Sequence, residues 1–463
     1  MMRCFPIVSV SPLVLVSLVM MSSCMVGPDF QKPGNDLPAT WSSNVPPHAS
    51  MNDLREWWGI FGDSQLTSLI NKAVSDNPDM RIALLRVRES RASAKIAGAT
   101  LLPTLGAGVG ATRSSLTGLT DSSSRGSFSH SENMSWELDV FGGNRRAIEA
   151  AEANLLSSEA NALAVRTALL AEVTITYFTW IANCEQLRVA REQLDIQKRT
   201  KEIVRNRKRV GFAADLDWQQ AISQVASTEG NLPILEANMK ASKNSLSILL
   251  GSYLANLSLR MPSGSVFGKM PDIPMGLPSD LLRRRPDIIA AEADLHAAVA
   301  EIGVSVADMY PKFSLSGSLS GGGTRFFDAF TNHAGAWGVG GEMSQALYRG
   351  GELRERVQKS KVAAQRVSEA YRKVLVNAVG EVERALIDYG SYRQKLVFIE
   401  QENVANKKSA ELALELYTEG KTDFLNVATA QRAWLSSEEA IVVLKQNIRQ
   451  SVASLAVALG GGW

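Results

Sequence analysis

Four groups of residues in this 463-residue chain could do chemistry. The run Arg283-Arg284-Arg285-Pro286-Asp287-Ile288 offers three arginines to an anion, or else opens a helix at Pro-Asp. Gly106 to Ala111, "GAGVGA", fits the dinucleotide pattern G-x-G-x-x-A. That pattern needs a helix directly behind it to hold the pyrophosphate, and a polar loop follows here, so no cofactor is expected. His48, His130, His296 and His333 show neither metal spacing nor a paired nucleophile, and they read as surface or loop residues. Arg205, Arg207, Lys208 and Arg209 form a basic run that is either a solvated helix end or an electrostatic dock. No acid–base pair or nucleophile constellation stands out, so neither an enzyme nor a metal protein is expected. A net charge of +2 gives no global attraction to nucleic acid.

One cysteine invites a covalent reading. Arg3 is followed by an apolar run from Ile7 to Met21, broken by Pro12, which is short for a membrane span and suits a signal peptide. The run ends in Met21-Ser22-Ser23-Cys24, which resembles a bacterial lipobox with Met in the usual Leu position. Lipidation of Cys24 is the expectation, with a free thiol after ordinary cleavage as the alternative. Met25 after the cysteine, by the same resemblance, favours sorting to the outer membrane. Cys184 is then the sole cysteine left, so the mature chain has no disulfide within reach and must be held by packing. No other run looks apolar enough to cross a membrane as a helix. A single lipid chain holds weakly, which calls for a second attachment.

The elements that position these residues are written twice. Pro78-Asp79 recurs as Pro286-Asp287, 286 − 78 = 208 residues later. Pro103 recurs as Pro311 and Gly142-Gly143 as Gly350-Gly351 at the same offset. Gly211 recurs as Gly420, and Leu250-Gly251 as Leu459-Gly460, one residue further on. Each copy starts a helix at Pro-Asp, where proline suits the first turn and aspartate the positive end of the dipole. A second proline stops it, a Gly/Ser-rich zone and a Gly-Gly follow, and two long helices joined by a glycine turn close the copy.

From Asn144 to Val210 there is no glycine or proline, enough for about 100 Å of unbroken helix. Gly380 and Gly390 are expected to loosen its counterpart. Leu155, Leu163, Leu170, Val173, Tyr177, Ile181 and Leu187 recur at spacings near three, four or seven, the pattern of helices lying against one another. The Gly/Ser zones alternate instead: Leu105, Ala107, Val109 and Ala111; Trp136, Leu138 and Val140; Phe313, Leu315 and Leu319; Trp337, Val339 and Met343. Alternation over about ten residues with one apolar face is the pattern of a membrane barrel strand. The links 114–126 and 321–333 look loop-like. Four strands cannot close a barrel, and open edges in lipid leave backbone groups unpaired, so several chains must share one. Three chains would supply twelve strands.

The stretches "REWWGIFGDSQL" (55–66), "NPDMRIALLRV", "LLPTLGAG", "SWELDVFGGNRRAIEAAEA", "LPSDLLRRRPDIIAAEADL" and the terminal "ALGGGW" together resemble the outer-membrane efflux factors of the TolC/OprM type, in the lipoprotein (NodT-like) branch of RND efflux systems. The resemblance covers essentially the whole mature chain. It implies a mixed α and β membrane protein: long α-helices forming a coiled-coil tunnel, and four β-strands per chain contributing to a trimeric twelve-stranded barrel. It also implies a homotrimer in the outer membrane that works with a periplasmic adaptor and an inner-membrane RND-type transporter, passing small solutes or drugs outward passively. By the same resemblance the adaptor-facing tips are Val210-Gly211-Phe212 and Glu419-Gly420-Lys421, glycine turns that also serve as left-handed caps. The family's aperture is often narrowed by acidic residues beyond the second turn; here those places hold Asn426 and Thr429, leaving Asp217 of the first half as the acidic candidate. Divalent-cation block is therefore expected to be weaker than in relatives carrying an aspartate pair. Asp423 is read as a helix N-cap.

The expected organisation is a signal peptide (1–23), a lipid-anchored extended segment (24–62), a first repeat (63–251), a Pro-rich linker (252–280) and a second repeat (281–463). Within the repeats, hairpins are expected at about 103–140 and 311–344, and long helical hairpins at 144–250 and 352–459. The competing reading is a lipid-anchored periplasmic coiled-coil scaffold without a pore, which would not need the four alternating strands. Carboxylates of neighbouring helices are the expected partners of Arg283 to Arg285.

Overall fold

The computed structural model describes residues 25–34, 41, 51–117, 122–260, 284–331 and 335–462. Cys24, His48, His333 and Arg283 lie outside the described residues, as do the signal segment and most of the Pro-rich linker. The chain divides into two compact units.

One unit comprises residues up to Gly34, Arg86–Glu159 and Ala290–Arg372. Its centre is a four-stranded antiparallel sheet in the order β1 (Thr104–Thr117), β2 (Ser122–Leu138), β3 (Lys312–Gly323), β4 (Ala336–Ser344). The two hairpins are joined through β2 and β3, with Trp136 opposite Leu315 and His130 opposite Gly321. This long-range pairing is not visible in local alternation. Two links depart from the loop reading. Arg113–Thr117 and Ser122–Gly126 continue the β1–β2 ladder, because backbone pairing proceeds where Ser-rich side chains carry no alternation. The β3–β4 link holds a short helix at Asp328–Thr331 that packs on β2 and β3.

The other unit comprises Asn35–Leu85, Ala160–Ile289 and Lys373–Trp463. A 3₁₀ segment, Met51–Phe61, leads into α1 (Ser64–Asp76), where the Asp63 carboxylate caps the amides of Gln65 and Leu66 at 2.8 and 3.1 Å. The helix α2 (Pro78–Ala99) starts at Pro-Asp with Asp79 in its first turn. Two 67-residue helices, α3 (Gly143–Arg209) and, after α5 (Pro286–Ala307) and the short α6 (Asp328–Thr331), α7 (Glu352–Thr418), run through both units. Each is followed by a 35-residue partner, α4 (Asp215–Leu249) and α8 (Phe424–Ala458). Contrary to expectation, α7 is unbroken at Gly380 and Gly390: a single glycine costs only about 1 kcal/mol in a helix interior.

Among the described residues the largest buried cluster of this unit surrounds Trp57, Leu66, Ile70, Leu170, Val173, Tyr177, Phe178, Ile181, Leu246 and Leu250, and smaller clusters lie around Leu386, Phe424 and Ile448. Of the seven periodic positions in α3, Leu170, Val173, Tyr177, Ile181 and Leu187 are buried, and Leu155 and Leu163 are half-buried. By composition α3 also contains a stretch apolar enough to cross a membrane, a correction to the sequence reading. The buried α3 side chains just named show where much of that apolarity goes: into the core.

Candidate functional site

Three places carry the features on which a conduit would depend: the sheet, the helical tips and the N-terminal segment.

The sheet sorts its residues by face. One face presents Thr104, Gly106, Gly108, Gly110 and Thr112 of β1, Ser127, Ser129, Ser131, Asn133 and Ser135 of β2, and Ser314, Ser316, Ser318, Gly338 and Gly340 beyond. Thr112 and Ser127 share a hydrogen bond of 2.8 Å there. The opposite face presents Leu105, Val109, Met134, Leu319, Trp337, Val339 and Met343. These side chains are largely exposed within one chain, Trp337 at 78% and Val339 at 76%. Among the described residues β1 and β4 are each paired along one side only. A sheet with one Gly/Ser face, one exposed apolar face and two open edges is unstable in water and suited to lipid once its edges are closed.

The tips are tied to one another. At Gly211 (φ +81°) and Gly420 (φ +77°) the chain turns through the left-handed region, which an L side chain rarely adopts. The same cap closes both: Phe212 N–H donates to Arg207 O and Lys421 N–H to Leu416 O, each at 2.8 Å. Val210 and Phe212 are exposed, Phe212 at 75%, and Glu419 and Lys421 pair at 2.7 Å on the surface. Arg207 reaches from the first tip to the second, donating to Thr418 O at 2.5 Å with its guanidinium 5.0 Å from the Tyr417 ring centre. Tyr417 in turn donates to Asp217 Oδ2 at 3.2 Å. Burial first, and then the Asp217 charge, pushes the Tyr417 phenol up to about 12. Lys208 pairs with Asp215. The basic run thus serves two ends: Arg207 completes the C-terminus of α7, and Arg209 stays exposed.

Of the aperture candidates, Asp217 is half-buried and occupied by Tyr417, while Asn426 and Thr429 are exposed. Asn426 donates to Thr422 Oγ1 at 2.8 Å and Thr429 to Leu425 O at 2.8 Å. Asp423 occupies the N-cap position of α8, but its carboxylate makes no capping hydrogen bond. Asp423 thus stands at the expected N-cap place without the expected side-chain bond.

The segment after Cys24 is held down. Val26 N–H donates to Phe141 O at 3.2 Å, and Arg146, almost fully buried, binds Val26 O, Asp29 Oδ1 (2.6 Å) and Glu149 Oε2 (2.8 Å). Gly303 leaves the room that Arg146 fills, since a Cβ there would lie 2.7 Å from its Cγ. His296 shares the Glu149 carboxylate at 2.8 Å and stacks on Phe30 at 4.5 Å. Burial opposes ionisation of Glu149, but His296 and Arg146 outweigh it and hold its carboxyl below the ordinary value. His296 is therefore a half-buried helix residue, and His130 sits on β2 under Phe330; the surface-or-loop expectation fails for both. Arg146 is not singled out by the sequence, where the only signal is a pair of arginines, Arg145-Arg146, two places behind Gly142-Gly143.

Arg285 finds its expected carboxylates. It is buried and binds Asp287 (2.7 Å), Glu381 (2.7 Å) and Ala458 O (2.8 Å). It is a structural tie rather than an anion site, and Arg284 stays exposed.

Comparison with known proteins bears on the whole chain. The family model "Outer membrane efflux protein" matches residues 69–252 and again 277–461, one match per repeat. The chain is 34% identical to the pyoverdine export outer membrane protein OpmQ of Pseudomonas aeruginosa, covering 96% of this chain and 95% of that one. It is 28% identical to the probable outer membrane lipoprotein SilC of Salmonella typhimurium, covering 96% and 97% respectively. The solved outer-membrane channel OprN superposes with a TM-score of 0.88 at 29% identity, over 95% of this chain and all of that one. By these matches and by its fold, the chain belongs to the outer membrane efflux protein family and is an outer-membrane channel protein of efflux.

Proposed function

We propose that three copies of this chain close a twelve-stranded barrel, anchored by lipid on Cys24 and opening into a tunnel built from the long helices. The observation that carries this is the sheet, with two faces of opposite polarity and two open edges. Joining β4 of one copy to β1 of the next satisfies both edges, turns the Gly/Ser face to a water-filled bore and leaves the apolar face to lipid. The tips at Val210-Gly211-Phe212 and Glu419-Gly420-Lys421 offer exposed apolar and charged side chains to a periplasmic adaptor. An inner-membrane RND-type transporter supplies the cargo. Transport is passive and needs no catalysis. Short Gly and Ser side chains line most of the bore, with Glu137, Lys312 and Glu342 at the strand ends nearest the helices, a lining that suits small solutes or drugs; the relatives' names include pyoverdine export for one protein and cation efflux for another.

Reconstitution into planar bilayers tests the proposal. Folded trimer should conduct, and silence would leave the pore-free scaffold as the better reading. Because Asp217 is engaged by Tyr417 and positions 426 and 429 carry no charge, divalent cations should block that conductance weakly.

A further inference from the structure

The apolar face of the sheet has a flaw. Along β2 the side chains on that face run Leu138, Trp136, Met134, Glu132, His130, Phe128, so two ionisable groups interrupt a surface meant for lipid. They lie 3.9 Å apart, and neither His130 Nδ1 nor Glu132 Oε2 has a hydrogen-bond partner although both atoms are buried. Polar groups facing hydrocarbon are costly, and their presence calls for a cover.

β3 makes room for one. Gly321 stands opposite His130 and Gly323 opposite Phe128. A Cβ at Gly321 would lie 2.3 Å from His130 Cε1 and 2.7 Å from Ala329 O; one at Gly323 would lie 2.6 Å from Asp328 Cβ. Into that space the β3–β4 connection folds back as α6. Phe330 stacks on the His130 ring at 4.9 Å, Phe326 meets Phe128 edge-on at 5.8 Å, and Phe326 touches both Phe327 and Phe330. The outer side of this cover is itself apolar: Phe326, Phe327 and Phe330 are 46%, 75% and 50% exposed.

We propose that residues Phe326–Phe330 form an aromatic flap that shields the His130–Glu132 pair and seats its own phenyl rings among the acyl chains of the membrane; this rests on the channel reading above. In water a polar cover would serve as well, and exposed phenylalanines would carry the cost of apolar hydration with no return. A second copy of the chain would be met at the open edges β1 and β4, whereas the flap lies over β2 and β3. The flap continues the surface of Leu319, Val339 and Met343, so its occupant is the lipid that this surface faces. The flap follows the end of β3 opposite to the end that α5 leads into, which puts it toward the outer leaflet.

Spin labels test this on the full chain in phosphatidylcholine/phosphatidylglycerol vesicles. Phe327→Cys, Val339→Cys and Phe212→Cys are labelled separately, with unsubstituted protein as the background for buried Cys184. Oxygen, which partitions into lipid, should relax the labels at 327 and 339 more than a water-soluble nickel complex does, with the reverse at 212. Nickel access at 327 with lipid-like behaviour at 339 overturns the flap alone. Nickel access at both positions overturns the channel reading with it. A label at 327 that neither reagent reaches means a protein-covered site and also overturns the proposal. Phe330→Ala should lower the yield of inserted channel several-fold, and Glu132→Gln should recover part of the loss; no recovery would show that Phe330 acts only by packing.

Discussion

The two repeats meet the same structural problem with different chemistry. In each, the residue before Pro-Asp is buried and donates to the carbonyl just ahead of the last helix's C-cap. Asn77 donates to Leu249 O at 2.9 Å in the first half, and Arg285 to Ala458 O at 2.8 Å in the second. Asn77 needs little else: its Oδ1 accepts from Met80 N–H at 3.0 Å and caps α2. Arg285 brings a charge into the interior and must recruit Asp287 and Glu381 to balance it. Burial works against that charge, yet the two carboxylates outweigh it and the guanidinium is held above its ordinary value. A neutral amide closes the junction locally, whereas an arginine closes it and also grips a third helix, α7. The tips differ again: each half closes its own turn with the same cap, and the two are then tied to each other through Arg207 and Tyr417.

The largest effect that would sharpen this comparison is at Arg285. Arg285→Ala should cost about 3 kcal/mol in unfolding of the detergent-solubilised protein, because it leaves a buried carbonyl and two carboxylates without their partner. Asn77→Ala should cost about 1–2 kcal/mol, the loss of a neutral buried pair. Equal losses would mean the charge adds nothing. At the tips, Tyr417→Phe removes one bond between the halves and should lower unfolding stability by about 1 kcal/mol while raising single-channel conductance.

A smaller effect is set by pH. The folded-state carboxyl of Glu149 titrates below the ordinary value of 4.5, so its contribution is present above that value and is lost as pH falls toward the depressed one. Acidification through this range should make residues 25–34 more open to proteolysis, and Glu149→Gln should make that susceptibility independent of pH there. The smallest effect belongs to Glu381→Gln. Glu381 is 57% exposed, so its pair with Arg285 should contribute under about 1 kcal/mol, leaving Asp287 as the main counter-charge.

What could be read in the sequence was whatever is local or repeated. The Pro-Asp helix starts, the glycine turns and the alternation around Leu105 and Trp337 depend on neighbours a few residues away, and each fixes a backbone conformation by itself. The pairing of β2 with β3 joins residues about 180 apart, and no short-range pattern encodes it. The carbonyl partners of Arg146 and Arg285 are hidden for the same reason: an arginine's charge can be read, and so the need for a carboxylate, but not the carbonyl it meets 120 or 173 residues away. The burial of His130 is not legible because alternation predicts a face, and the cover over that face comes from a different segment.

The open edges of β1 and β4 reach beyond architecture into inheritance. In the shared barrel proposed above, each chain borrows its neighbour's strand and can be poisoned by a defective sibling. A variant with β1 intact and β4 disrupted would enter assemblies and leave one seam unsealed. In a cell carrying equal amounts of both forms, most assemblies would hold at least one defective member. Lesions in β4 should therefore be dominant, whereas lesions that prevent folding altogether should be recessive.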